Sequence, residues 1–354
     1  MTGETDDILL ERVGGIGLIT LNRPKALNAF THEMYLTLEP VLDAWNADPA
    51  VAAVVIRGTG GKAFCAGGDI RALWESGPGV KGKDDLKSRF FVDEYRVIRK
   101  VHHLSKPYVA LIDGVTMGGG VGMSVNGRFR VATENTLFAM PETGIGMIPD
   151  VGGTRILRAC PGRIGLYLGL TGARLKGGAD LLHAGIATHF LPAERIPALL
   201  DALATAADAP ATLERFSADP GPSALRDLQP AIDRCFGQPT LPAIIEALRA
   251  EPDAWAATAL KAIERASPAS LAMTFWQLHP RDPVTMEQSL ALEYGLVQQV
   301  MEGHDFFEGV RAVLVDKDQS PKWQPASLAA LDDATVGRII AAAEASAKTL
   351  ESLS

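Results

Sequence analysis

The chain has 354 residues, 47% of them hydrophobic and 21% charged, and a formal net charge of -8. That composition fits an ordinary globular protein long enough for one large domain plus an appendage, and the acidic balance argues against nucleic acid or an anionic membrane as the main partner. Three widely spaced cysteines, Cys65, Cys160 and Cys235, have no zinc spacing and argue against a disulfide framework, so they read as reduced, buried thiols.

The N-terminal stretch MTGETDDILLERVGG is acidic and lacks the apolar or arginine-rich pattern of a leader. No run approaches the ~18 apolar residues of a membrane span. The expectation is therefore a cytoplasmic protein. Gly17–Leu21 is a β-rich run ended by Asn22-Arg23-Pro24. From Thr31 to Trp45, apolar residues recur at helical spacing. Ala53–Gly58 reads as a buried strand closed by a glycine-rich turn, and a helix follows from about Ser88 to Leu104. Tyr108–Gly114 is a second buried-type strand and Phe129–Ala132 a short third. Strands alternating with helices predict an α/β layer architecture with right-handed crossovers. From about Ala204 to Asp253, seven prolines punctuate short helical pieces, which reads as a linker (204–253) between a core (1–203) and a helical C-terminal region (254–354). In that region helices are expected at Ala254–Arg265, Pro268–Leu278, Met286–Met301, Phe306–Leu314 and Asp333–Leu350. Ser267 reads as an N-cap with Pro268 at the first helical position.

Three loops carry residues suited to chemistry. Gly118-Gly119-Gly120-Val121-Gly122 follows a strand and opens a helix running toward Asn126. It offers bare backbone N–H groups to an anionic oxygen, or is simply a tight turn. Ala63–Ile70, with Gly67, Gly68 and Asp69, also sits after a strand, and Gly68 can donate a second N–H toward the same oxygen. Neither run has the Gly-Lys-Ser/Thr ending of a phosphate-binding loop. The segment Ala139–Gly153 places Glu142 and Asp150 in apolar surroundings, where carboxylates are costly unless paired or used. Asp150 can instead cap the helix that follows it, Glu142 can sit in the first turn of a short helix, and Glu94 can be a solvated face residue. His102, His103, His183, His189, His279 and His304 show no metal spacing. Two amides plus an acid form a constellation for carbonyl chemistry.

These runs resemble the crotonase (enoyl-CoA hydratase/isomerase) superfamily. The matching stretches are Leu21–Ala29, Ala63–Ile70, Asp113–Gly122 and Pro141–Gly153. More narrowly, Phe129–Glu134, Phe138–Gly153 and the block Gly303–Trp323 are similar to the 3-hydroxyisobutyryl-CoA hydrolase subfamily, and the resemblance spans about Ile16 to Pro325. It implies a crotonase-like spiral core of ββα repeats with an extended helical C-terminal region. It further implies Gly68 and Gly119 as oxyanion-hole amides, Glu142 as the principal catalytic carboxylate, Asp150 as its partner and Glu94 in the acyl pocket. Gly67, Asp69 and Ile70 would line the substrate, with Lys25 and Lys62 toward the CoA phosphates. Hydratases of the superfamily carry a first glutamate where this chain has Gly122, and usually glycine where it has Asp150. That difference favours hydrolysis of a short branched hydroxyacyl-CoA thioester, a step of valine catabolism. The alternatives are another crotonase reaction, namely hydration, isomerisation or decarboxylation, or a non-catalytic acyl-CoA-binding protein. No cofactor or metal is expected, since coenzyme A is part of the substrate. The implied partner is an acyl-CoA, with no nucleic acid or membrane, and a homo-oligomer (trimer or hexamer) is the expected assembly.

Overall fold

The computed structural model describes residues 6–77 and 86–351. These form two compact units, each drawn from several stretches of chain: 6–69, 93–139 and 174–226 in the first, 70–77, 86–92, 140–173 and 227–351 in the second.

The first unit holds two sheets. The larger runs in the order β1 (Ile8–Val13), β2 (Ile16–Leu21), β3 (Ala53–Gly58), β5 (Tyr108–Ile112), β7 (Phe129–Ala132) and β10 (His189–Phe190). Only β1 pairs antiparallel within it. The smaller contains β4 (Ala63–Cys65), β6 (Val115–Met117), β8 (Leu137–Ala139) and β9 (Leu175–Lys176), the first three of them parallel. Ile16, Leu18, Ala53, Val55, Val109 and Leu111 alternate along three neighbouring strands. They bury one sheet face against Leu199, Leu203 and Leu213 of the helices Ile196–Thr205 and Ala209–Phe216. On the opposite face, a Cβ at Gly17 would lie 2.4 Å from the Trp45 ring, so the bare glycine lets the helix His32–Ala47 close on β2.

The expected strands and helices of this unit are present, with ends shifted by a residue or two. Sequence periodicity missed β1, whose outer positions are exposed, and the three-residue strands β4, β6 and β8, which are too short for a period to register. The prolines do not all break helices. Pro210 and Pro242 occupy first turns, where no N–H is needed, while Pro230 lies inside the helix Ala224–Phe236.

The second unit is helical. Ser267 caps Pro268–Leu278 as expected, and Thr285 with Gln288 forms a capping box at the start of Met286–Glu302. The helix Asp333–Glu351 packs on Met286–Glu302 at Gly295, where a Cβ would lie 2.0 Å from the Ala343 carbonyl oxygen. The expected helix at 306–314 is Asp305–Val310 followed by a π-turn at Arg311–Val315. Among the described residues no helix is long and apolar enough to cross a membrane.

Asn28 ties the first unit's loops together. Its amide donates to the carbonyls of Thr59 and Ala63, both at 2.9 Å, and its Oδ1 accepts from the Arg23 N–H at 2.9 Å. It does so from a left-handed backbone, φ 58°, that asparagine tolerates better than most residues. Asn28→Ala should lower unfolding free energy by about 2–4 kcal/mol, because three hydrogen bonds of a buried side chain are lost, one to a buried partner and two to half-buried ones. Urea denaturation measures this, and a change under about 0.5 kcal/mol would contradict the bridging role.

Candidate active site

In the first unit, Gly67, Gly68 and Asp69 lie alongside Phe30 as a one-residue parallel bridge. Phe30 donates to the Gly67 carbonyl at 2.9 Å and Asp69 donates to the Phe30 carbonyl at 2.8 Å. In such a bridge the middle residue turns its own N–H to the other side. Gly68 therefore faces the start of the helix Gly119–Val125: a Cβ on Gly119 would lie 3.2 Å from the Gly68 nitrogen. The two expected amides are neighbours. Gly120 holds them there, since a Cβ at that position would sit 2.3 Å from the Cys65 carbonyl. Gly118 turns the chain with φ 47°.

The same point beside Gly119 is 2.8 Å from the Tyr35 hydroxyl and 3.0 Å from Glu94 Oε1. Tyr35 donates to Glu94 Oε1 at 2.5 Å, and both side chains are buried. Glu94 is thus no solvated face residue; the structure sets it at the amide pair. Tyr35 went unnoticed in the sequence because, on an amphipathic helix, it looks like any core aromatic. Its ring stacks on Phe30 at 4.7 Å. Asp69 is engaged by Arg23 at 3.3 Å. Lys25, in the 3-10 turn Pro24–Ala26, and Lys62, in the turn before β4, are exposed.

In the second unit, Ile70 opens the helix Ile70–Glu75. Glu142 begins a short 3-10 turn, Glu142–Ile145, directly after Pro141. It is 6% exposed and Asp150 5% exposed. Burial pushes the Glu142 carboxyl well above its ordinary value, and the charge of nearby Asp150 pushes it further. Its Oε2 has no hydrogen-bond partner among the described residues. An unpartnered, buried carboxylate oxygen with an elevated proton affinity is poised to act on something brought to it.

The Glu142 turn is anchored from the C-terminal helices. Ser267 donates its backbone N–H to the Thr143 carbonyl at 3.1 Å, and its hydroxyl donates to Asp305 at 2.5 Å. Gly146 lies so close to Asp305 that a Cβ would be 2.3 Å from its carbonyl. Asp150 does not cap the following helix. Gly152 is the N-cap of the helix Gly153–Ala159, and the Gly152 and Thr154 amides go to the Glu293 carboxylate while the Gly153 amide goes to the Asp150 backbone carbonyl. The structure thus brings together Gly68, Gly119 and Glu94 in one unit and Glu142 and Asp150 in the other. The sequence marks Ser267 only as a helix cap, and the anchoring roles of Ser267, Asp305 and Glu293 leave no local pattern because they act through buried contacts between distant stretches of chain.

Among the described residues no group of three or more His, Cys, Asp or Glu is placed to hold a metal ion. All three cysteines are free and buried, as expected. Burial pushes the Cys65 and Cys160 thiols up to about 12, which leaves them poor nucleophiles.

The profile of the enoyl-CoA hydratase/isomerase family matches residues 16–340. The mitochondrial 3-hydroxyisobutyryl-CoA hydrolase of Mus musculus is 47% identical over 94% of this chain and 88% of its own length. The Homo sapiens protein of the same name is 47% identical over 92% and 86%. Among solved structures, a carnitinyl-CoA dehydratase from Mycobacterium thermoresistibile superposes with a TM-score of 0.88 at 39% identity, covering 95% of this chain and 96% of that one. An enoyl-CoA hydratase from Rhodobacter sphaeroides 2.4.1 superposes at 0.87 and 40%, covering 95% and 97%. The crotonase-like fold and the extended helical C-terminal region are therefore shared with known structures. The expectation of a cytoplasmic protein is overturned, because these similar hydrolases are named as mitochondrial.

The elevated Glu142 pKa has a thermodynamic consequence. Folded Glu142 binds its proton more tightly than unfolded Glu142. Its contribution to stability is complete below the ordinary value of 4.5 and declines as pH rises toward the folded value. Glu142→Gln cannot ionise, so its melting temperature should exceed the parent's at pH 7, and the gap should close toward pH 4.5. Calorimetry at both pH values checks this, and an equal gap at the two would contradict it.

Proposed function

The chain belongs to the enoyl-CoA hydratase/isomerase family, and we propose that within it the protein hydrolyses 3-hydroxyisobutyryl-CoA to 3-hydroxyisobutyrate and coenzyme A, a step of valine catabolism. The observation that carries this reading is the buried Glu142–Asp150 pair combined with glycine at position 122. Alkene hydration in the family uses, beside the counterpart of Glu142, a glutamate where this chain has Gly122. A glycine buried in the helix Gly119–Val125 can neither give nor take a proton. The curated relatives nearly half identical to this chain carry the hydrolase name. The hydratase and dehydratase names on the solved structures belong to those proteins.

The mechanism follows from the two sets of groups. The thioester carbonyl accepts N–H bonds from Gly68 and Gly119. These strengthen as its oxygen becomes negative, each being worth about 3–4 kcal/mol of barrier. Glu142 acts in its carboxylate form: it attacks the carbonyl carbon, expelling the coenzyme A thiolate and leaving a mixed anhydride that water then hydrolyses, or it takes a proton from the water that attacks the carbonyl carbon. In both routes the elevated proton affinity improves the match between the group and near-neutral pH. The coenzyme A thiolate leaves and takes up a proton. Asp150 sustains the elevated pKa and orients water. Glu94, its Oε1 already held by Tyr35, accepts from the acyl hydroxyl, which distinguishes a 3-hydroxyacyl group from a plain branched one. Gly67, Asp69 and Ile70 contact the substrate along the loop that carries Gly68. Exposed Lys25 and Lys62 supply positive charge for the CoA phosphates. The reaction needs no cofactor beyond the CoA that the substrate brings.

Free-thiol release from 3-hydroxyisobutyryl-CoA tests the proposal. Glu142→Ala should lose about 10²–10⁴-fold in kcat, and neither protein should bleach the conjugated absorbance of crotonyl-CoA. A Glu142→Ala enzyme with the parent rate, or a parent that hydrates crotonyl-CoA faster than it releases thiol, would refute it.

A further inference from the structure

The turn that carries Asp150 is unusual. Val151, a β-branched residue, is held at φ 58° and Gly152 at φ 83°. A β-branched side chain rarely adopts that backbone, and it persists only where the surroundings over-determine it. The surroundings include three polar side chains from two distant helices. Glu293, on Met286–Glu302, is fully buried. Its Oε2 accepts the Gly152 N–H at 2.7 Å and its Oε1 accepts the Thr154 N–H at 2.8 Å. The Ser289 hydroxyl also donates to Oε1, at 2.8 Å, and accepts the Arg155 N–H at 3.1 Å. From Pro268–Leu278, the Gln277 amide donates to the Pro149 carbonyl at 2.6 Å and to the Thr154 hydroxyl at 2.7 Å. The chain is therefore gripped at 149, 152 and 154, on both sides of Asp150.

We propose that Glu293 is a positioning residue for the hydrolysis: with Gln277 it fixes the 149–154 turn and so sets where the Asp150 carboxylate stands relative to Glu142. This rests on the hydrolytic reading of Asp150 given above. A neutral isostere cannot replace Glu293. The two backbone donors need two separate oxygens, and a glutamine amide has one. The carboxylate also lies at the start of the helix Gly153–Ala159, where negative charge is favourable. Burial raises its proton affinity and its several donors pull it back down. Its whole hydrogen-bonding capacity is directed at the turn and at Ser289, which braces the same segment. The arrangement also gives the C-terminal helices a chemical task beyond covering the core: they supply the geometry of the second acid.

The test is a double-mutant cycle with thiol release as readout, at a temperature where every variant is folded. Glu293→Gln should lower kcat about a hundredfold, the order expected when a reacting group is displaced by about 1 Å, with KM within about twofold of the parent's. In an Asp150→Asn background the same change should cost less than about threefold, because a residue acting through Asp150 has nothing left to position. Equal losses in both backgrounds, or a parent-like kcat in Glu293→Gln, would overturn the inference. If Glu293→Gln does not fold, Gln277→Met, which removes the two bonds from the other side of the turn, should give the same pattern, and additive losses there would overturn it equally. An Asp150→Asn enzyme with the parent kcat would instead count against the hydrolytic reading itself.

Discussion

Two carboxylates buried close together in an apolar segment are the constraint on which the second unit depends. Glu142 in particular sits where ionisation is costly. Burial and repulsion from Asp150 raise the proton affinity of Glu142, and one of its oxygens finds no donor among the described residues. A fold keeps such a pair only if the surrounding backbone is held firmly enough to deny it relaxation. The C-terminal helices provide that restraint. Ser267 and Asp305 anchor the turn that begins at Glu142, and Glu293 and Gln277 grip the turn at Asp150. The block 303–323, one of the most subfamily-specific stretches of the sequence, contains Asp305, whose second oxygen accepts the Gln324 N–H at 2.8 Å.

The first unit does something different: it brings the backbone of Gly68 and the start of the helix at Gly119 close together. Backbone amides are normally consumed by secondary structure. Here Gly68 escapes because it is the middle residue of a bridge to Phe30, and Gly119 because it opens a helix. Their closeness follows from parallel pairing of β4 with β6, which leaves both strands' C-terminal ends on the same side. β8 pairs in register with β6, Met117 opposite Ala139, and the chain runs from β8 directly on to Glu142. β4 and β6, in one small sheet, thus lead into the two glycine segments singled out in the sequence.

Much of this was legible in residue order. Glycines that must approach backbone closely, such as Gly119 and Gly120, stand out because any other residue would clash there. Glu142 stands out because it follows a proline in an apolar run. The role of Asp150 stayed open between helix cap and reactive acid, since both are local possibilities. The structure decides against the cap because Glu293, 139 residues away from Thr154 in the chain, already takes those amides. Long-range hydrogen bonds of this kind leave no periodic trace. Tyr35 was hidden for the opposite reason: its position on the buried stripe of His32–Ala47 is what a core residue would occupy, and only its hydroxyl, 2.5 Å from Glu94, marks it out. The short strands were hidden by length alone.

The central claim is that the Glu142 carboxylate, its proton affinity raised by burial and by Asp150, drives thioester cleavage. The pH dependence of kcat/KM for 3-hydroxyisobutyryl-CoA, measured for the parent and for Asp150→Asn, tests it most directly. The account predicts an acid limb with a midpoint well above 4.5 in the parent. It predicts that the limb moves to lower pH in whatever activity Asp150→Asn retains, because removing the neighbouring negative charge eases ionisation of Glu142. A parent rate that stays flat down to pH 4.5, or a limb that does not move when Asp150 is neutralised, would contradict it.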